Sequence, residues 1–139
     1  MNNIVVADAD SLIALAYKDD SNHQRAKKTA EWLLSRGYQI VYPNTAILEA
    51  ITTLKRALSL PDKAHLIARQ YVQGAFLVQY VDEDIQKAAS KLFEEKAVSK
   101  KNTIFDSIVA ITAQELNAHY IFSFDSWYPK LGFQLAENK

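Results

Sequence analysis

Short runs rich in β-branched and aromatic residues alternate along this chain with longer stretches of helical periodicity. The short runs, mostly apolar at successive positions, are typical of strands buried on both faces. We predict strands at residues 4–7, 39–42, 76–81 and 120–124, and a short last strand at 133–135. Helices are predicted between them, at residues 11–15, 22–35, 45–58, from 61 onward, 82–96 and 104–116.

Several of these helices carry boundary signals. The helix at 45–58 has apolar residues at spacings of three and four, as packing by one face requires: Ile47, Ile51, Leu54 and Leu58. Pro61 suits the first turn of the following helix, and Asp82 suits the N-cap of the one after it. Asp10 or Ser11 is predicted to cap the first helix, and for Asp10 the sequence leaves open a second role, in which it adds a charge to a pocket beside Asp8. The regular alternation of strands and helices predicts an α/β fold, with a central parallel sheet of four to five strands covered by helices on both faces.

Composition agrees with one globular domain spanning residues 1–139. Hydrophobic residues make up 49% of the chain and charged residues 23%, close to the averages for globular domains. There is no Cys, which excludes a disulfide scaffold, a zinc–thiolate site and a cysteine nucleophile. The sequence shows neither a secretory leader nor an apolar run of about 18 residues. We therefore expect a cytoplasmic protein with no membrane segment.

Acidic residues follow the predicted strands, where an open α/β sheet binds its ligands. Asp8 ends the first strand, Asp125 ends the strand at 120–124, and Glu49 lies one turn into the helix after the second strand. Each has another interpretation when taken singly. Asp8 suits a helix cap, as Asp10 does; Glu49 suits a solvated helix face; and Asp125 suits an Asx turn.

Asp106 is harder to explain by structure alone. It lies within the apolar run at residues 104–111, which contains no Lys or Arg to pair with it, and charged residues are rarely buried without a partner or a metal. Together with Asp8, Glu49 and Asp125 it forms a set of carboxylates of the kind that binds Mg²⁺ or Mn²⁺. Such a site favours hydrolysis at a phosphate.

At these residues the sequence resembles the PIN-domain nucleases, and within them the VapC-like toxins of type II toxin–antitoxin pairs. The resemblance covers nearly the whole chain. It rests on four segments in order. The first three are Val5-Val6-Ala7-Asp8-Ala9-Asp10-Ser11-Leu12-Ile13-Ala14-Leu15, Thr45-Ala46-Ile47-Leu48-Glu49-Ala50 and Phe105-Asp106-Ser107-Ile108-Val109-Ala110. The fourth is Phe122-Ser123-Phe124-Asp125, followed by Trp127-Tyr128-Pro129-Lys130-Leu131-Gly132-Phe133 as the closing strand. A further segment, Asp20-Ser21-Asn22-His23-Gln24-Arg25-Ala26, is similar to the family's D-x-x-H-x-x-A helix start.

The resemblance implies a three-layer PIN-like fold whose acidic pocket binds Mg²⁺ or Mn²⁺ through Asp8, Glu49, Asp106 and Asp125. It further implies cleavage of single-stranded RNA and a cognate antitoxin protein as partner. We also expect a homodimer through an exposed helical face, and an antitoxin helix seated near Leu54, Leu58 and Leu60. One residue departs from the family pattern, since Ala9 stands where Thr or Ser usually follows the first Asp.

Candidate substrate contacts are fewer. Lys55 and Arg56, about two turns after Glu49, are positioned to hold phosphates at the pocket rim. Ser123 is a further candidate, either for substrate binding or for a hydrogen bond to a metal ligand. Lys and Arg number 16, equal to Asp and Glu. With four acids placed in the pocket, the remaining surface is therefore net positive, which suits an anionic substrate.

Two other functions remain open from the residues. Asp8-x-Asp10 after a strand is similar to the nucleophile and acid–base pair of haloacid-dehalogenase-like phosphatases, although no later Gly-Asp-x-x-x-Asp follows. A catalytically inactive PIN-like interaction module is the second alternative. Retention of all four acidic residues argues against that module.

Overall fold

A computed structural model of the chain describes residues 3–138 and shows an α/β architecture. Four strands are formed by β1 (Ile4–Ala7), β2 (Gln39–Pro43), β3 (Leu77–Gln79) and β4 (Tyr120–Phe122). Seven helices accompany them within this range: α1 (Ala9–Ala16), α2 (His23–Ser35), α3 (Asn44–Lys55), α4 (Pro61–Val72), α5 (Glu83–Lys96), α6 (Ile104–Glu115) and α7 (Trp127–Lys130). A 3₁₀ turn follows at Ala136–Asn138.

The strands form one parallel sheet in the order β3-β2-β1-β4. Val5 pairs with Ile40 on one side and with Tyr120 on the other, so β1 is central. The predicted fifth strand at 133–135 is reduced to a single parallel bridge between Leu135 and Ile121. The predicted three-layer α/β fold with a central parallel sheet is confirmed.

Alternate residues of each strand face opposite layers of helices. Val5 and Ala7 of β1 lie in a core cluster with residues of α1 to α4. Val6 points the other way and packs with Val109 of α6 and with Tyr128 of α7. Because both faces of the sheet are buried, nearly every position of β1 and β4 must be apolar, as the sequence has it.

Several boundaries differ from the sequence prediction. Helix α3 ends at Lys55, so Leu58, predicted to lie on its buried stripe, falls in the turn between α3 and α4 and is 39% exposed. Ser59, with a positive φ, completes this turn. Leu54 is fully buried, so it cannot belong to an antitoxin-binding surface. Helix α7 was not predicted. Within residues 3–138, no helix combines the length and apolarity that crossing a bilayer requires.

Candidate active site

The sheet has a switch point beside β1, and the acidic residues converge there. The chain leaves β1 to form β2 on one side and returns much later to form β4 on the other. At such a point the connections after the two strands run in opposite directions, which opens a crevice at the carboxyl ends. Asp8 follows β1 directly, and its backbone N–H donates to Phe122 O of β4 at 3.1 Å. Asp125 follows β4 three residues later.

Asp8 is buried and tightly held. Its Oδ1 accepts a hydrogen bond from Ala9 N at 2.6 Å, which makes Asp8 the N-cap of α1. Its Oδ2 accepts from the Tyr128 hydroxyl at 2.6 Å. Burial raises the pKa of Asp8 well above its ordinary value, and the nearby Asp10 and Asp106 add to the effect. The capping and pocket interpretations of Asp8 thus both hold.

Asp10 joins the pocket, which decides between the two roles that the sequence left open, and the N-cap of α1 is Asp8 rather than Asp10 or Ser11. It lies in the first turn of α1, and its Oδ2 accepts from Ser123 Oγ at 2.8 Å and from Phe124 N at 2.9 Å. Its Oδ1 is buried and has no hydrogen-bond partner among the described residues. Burial raises the pKa of Asp10 to about 6. Asp10 is therefore a fifth carboxyl group beside the four that the motifs indicate.

Glu49 extends into the pocket from α3. Helix α3 begins directly after β2, so one turn of helix places position 49 near the carboxyl edge of the sheet. Its Oε1 is buried and, in the part of the chain described, accepts no hydrogen bond. Burial, with the charges of Asp106 and Asp10, raises the pKa of Glu49 to about 7.

Asp106 and Asp125 are held by the loop before α6. Thr103 and Asp106 form a capping box, in which Asp106 Oδ2 accepts from Thr103 N at 3.0 Å. Asp125 Oδ2 accepts from the side chain of Asn102 at 3.0 Å, and its Oδ1 accepts from Trp127 N at 2.9 Å in an Asx-type turn. Burial and the charge of Asp125 raise the pKa of Asp106, against the bond from Thr103.

These side chains surround one cavity of about 190 Å³. All four acidic residues predicted from the sequence line it, together with five others: Ala9, Asp10, Ile13, Thr53 and Lys101. Convergence from β1, α3, α6 and the loop after β4 cannot follow from local helix capping alone. The arrangement brings carboxyl groups so close together that their negative charges must be balanced, either by protonation or by a bound cation.

The predicted substrate contacts lie elsewhere. Lys55 Nζ is 2.8 Å from His65 Nε2, so it ties α3 to α4, and neither Lys55 nor Arg56 lines the cavity. Ser123 is buried, donates to Asp10 and accepts from Asp125 N at 3.1 Å. Ser123 therefore orients Asp10 and the Asp125 backbone, and its buried hydroxyl is not accessible to a substrate.

The carboxylates of the cavity are of the type that binds a hard divalent cation, although they are not yet close enough together to coordinate one. Within residues 3–138, no three His, Asp or Glu side chains form a group already spaced to hold a metal ion. The fit lies in the chemistry: Asp10 Oδ1 and Glu49 Oε1 are buried acceptors that lack a donor, beside the carboxylates of Asp8, Asp106 and Asp125. Carboxylate oxygens are the ligands that Mg²⁺ and Mn²⁺ prefer.

Three neighbours of the carboxylates escaped the sequence analysis: Asn102, Tyr128 and Lys101. Asn102 and Lys101 belong to the segment Lys100-Lys101-Asn102-Thr103 just before Asp106, and the capping-box pattern Thr103-x-x-Asp106 was a signal for that loop. No sequence pattern linked Tyr128 to the acidic residues, although it lies only three residues after Asp125. Its hydroxyl also lies 3.4 Å from Asp106 O, so one side chain links two acidic positions.

Comparison with known proteins identifies the class to which this fold and site belong. The chain is a member of the PIN domain family, matching it over residues 5–134. This membership decides against the haloacid-dehalogenase-like alternative. A search of curated proteins found no match.

Solved structures share the fold. VapC20 of Mycobacterium tuberculosis, a toxin that cleaves the sarcin–ricin loop, superposes with a TM-score of 0.80 at 19% identity, over 93% of this chain and 95% of VapC20. A toxin–antitoxin complex from Klebsiella pneumoniae gives a TM-score of 0.59 at 18% identity, over 88% of this chain and 87% of that one. At these identities the likeness concerns the architecture.

Proposed function

We propose that this protein is a metal-dependent endoribonuclease that cleaves single-stranded RNA and acts as the toxin of a toxin–antitoxin pair. The observation that carries the proposal is the convergence of Asp8, Glu49, Asp106 and Asp125 on one small cavity at the switch point of the sheet. Membership of the PIN domain family supports a nuclease. The shared fold with VapC20, which cleaves an RNA loop, supports RNA as the substrate.

Asp8, Glu49, Asp106 and Asp125 are the residues that would hold Mg²⁺ or Mn²⁺. When bound, the ion supplies Lewis-acid chemistry for phosphodiester hydrolysis. The protein's own groups set the geometry. Tyr128 and Ala9 N fix both oxygens of Asp8. The free Oε1 of Glu49 is available to orient the attacking water.

Two protein partners belong to the proposal. An antitoxin that inserts an Arg or Lys into the acidic cavity would balance its charge and block the substrate phosphate, and the toxin–antitoxin complex with a similar fold supports such a partner. We further propose a homodimer. The half-exposed Leu48 and Phe105 beside the cavity support an apolar contact there.

Asp106→Asn tests the site. The amide preserves the side chain's shape and can still accept the bond from Thr103 N, but it is a poor ligand for a hard cation. We expect cleavage of a single-stranded RNA in Mg²⁺ or Mn²⁺ to fall at least about 100-fold, the order found when one stabilising group is removed from an active site, with an unchanged circular dichroism spectrum.

Asp82→Asn is the matched control, because Asp82 caps α5 away from the cavity and Asn caps equally well. Equal cleavage by the parent and Asp106→Asn would show that the site is assigned wrongly.

In cells, the toxin proposal requires that expression of the parent slows growth and that the product of a neighbouring small gene relieves this. Harmless expression of an RNA-inactive parent would favour the interaction module.

A further inference from the structure

We propose that Lys101 binds a phosphate group of the RNA at the mouth of the acidic cavity. This inference rests on the proposed function and assigns a substrate contact that the motifs do not indicate. Of the described residues that line the cavity, Lys101 alone carries a positive charge. Lys55 and Arg56, the sequence candidates for this role, do not line it.

The loop between α5 and α6 holds Lys101 in place. Its backbone N–H donates to Ser99 Oγ at 3.2 Å, and the N–H of Asn102 donates to Ser99 O at 3.1 Å, which closes a turn around position 101. The next side chain, Asn102, is buried and bonded to Asp125. The backbone of Lys101 is therefore tied on one side to the cavity wall, while its side chain remains exposed.

Among the described residues, Lys101 forms no ion pair with a neighbouring carboxylate. The ion pairs found among residues 3–138 are Arg25–Glu137 and Lys87–Glu83. Lys101 thus lines an acidic cavity without forming an ion pair with Asp106 or Asp125. A simple counter-ion would be expected to approach one of these carboxylates within hydrogen-bond distance.

A bound RNA strand requires positive charge near its phosphates, and Lys101 is placed to supply it. The scissile phosphate must enter a cavity lined by carboxylates, and its own charge and those of the adjacent phosphates are repelled there until cations balance them. A Lys ammonium on a flexible stem is a compact point charge that contacts phosphate without demanding one orientation. Lys101 at the rim therefore suits a phosphate of the bound strand irrespective of base sequence.

The test compares Lys101→Ala with Lys100→Ala, an exposed neighbour that does not line the cavity. Cleavage of a single-stranded oligoribonucleotide is measured across a series of salt concentrations. We expect Lys101→Ala to raise KM roughly two- to fivefold, the range for one exposed ion pair, and to leave kcat nearly unchanged. The slope of log affinity against log salt should fall by about 0.7, the value for one phosphate contact on a single strand. Lys100→Ala should match the parent, and Lys101→Arg should restore most of the affinity.

Other results would overturn the assignment. If Lys101→Ala lowers the melting temperature and leaves KM and the salt slope at parental values, Lys101 merely offsets carboxylate repulsion. If Lys100→Ala changes the salt slope equally, the loop contributes only diffuse charge. The affinity of the same oligonucleotide for Asp106→Asn, with and without Lys101→Ala, measures the contribution of Lys101 to binding when no cleavage occurs. A parent that neither cleaves nor binds RNA removes the proposed function itself, whereas an active parent with an indifferent Lys101 removes only this inference.

Discussion

Glu49→Gln should stabilise the metal-free protein at neutral pH. Glu49 has a buried Oε1 with no partner among the described residues, and it faces the charges of Asp106 and Asp10. In the unfolded chain these groups are solvated and separate. Folding therefore brings the Glu49 carboxylate into an environment that disfavours its charge, and a neutral amide of the same shape avoids this cost.

The magnitude and the pH window follow from the raised pKa. The pKa of Glu49 rises from 4.5 to about 7, and at 1.36 kcal/mol for each pKa unit this corresponds to about 3 kcal/mol. The side chain is only partly buried, so screening reduces the expected gain to about 1–2 kcal/mol. Below pH 4.5 the carboxyl is protonated in both states and the variant gains nothing. Between pH 4.5 and about 7 the parent loses stability progressively, because the unfolded state ionises while the folded state retains its proton. Above about pH 7 the gain of the variant is complete.

Thermal and urea unfolding in EDTA, at several pH values between 4 and 8, measure this gain. For a chain of this size we expect the melting temperature of Glu49→Gln to exceed that of the parent by roughly 3–8 °C at pH 8, and the two to converge near pH 4. Glu115→Gln, at an exposed position near the end of α6, should match the parent throughout. A variant that is no more stable at pH 8, or whose gain is equal at every pH, would refute the argument from buried charge.

Two further predictions concern the same cavity. Tyr128→Phe removes the hydroxyl that donates to Asp8 Oδ2, so it should destabilise the protein by about 1–3 kcal/mol and reduce RNA cleavage. Tyr42→Phe, at a buried tyrosine outside the cavity, should leave cleavage unchanged. Equal cleavage by the two variants would contradict the role of Tyr128. Saturating Mg²⁺ or Mn²⁺ should add about 2.7 kcal/mol to the free energy of unfolding at 100 times Kd, less in Asp106→Asn, and an unchanged melting temperature up to millimolar ion would contradict metal binding.

Most of the fold could be predicted because its signals are local. The β1 strand is apolar at every position, and Pro61 and Asp82 mark the starts of α4 and α5 where the structure has them. Errors arose where tertiary packing decides. Residues 133–135 read as a strand, but the sheet pairs them only once, through Leu135.

The residues of the candidate site likewise fall into two groups, those placed by local structure and those placed by long-range contacts. Asp8 and Glu49 could be proposed because strand ends and helix turns fix their positions along the chain. For Asp10 the sequence left open whether it caps α1 or joins the pocket, since its two hydrogen-bond donors lie more than a hundred residues away. Lys101 was missed for a similar reason, because its place at the cavity depends on Asn102 bonding to Asp125 across the fold.

The departure at Ala9 finds a physical explanation in these long-range contacts. The resemblance implies a Thr or Ser beside the first aspartate, and a hydroxyl there would help to orient the carboxylate. Here the orienting hydroxyl comes from Tyr128, at 2.6 Å from Asp8 Oδ2. Burial and the charges of Asp8 and Asp106 hold the pKa of Tyr128 well above 10, so it remains a donor at neutral pH. Ser123 orients Asp10 in the same manner. Each carboxylate of the α1 turn is thus positioned by a hydroxyl from β4 or beyond, and loss of the local hydroxyl does not leave Asp8 free to rotate.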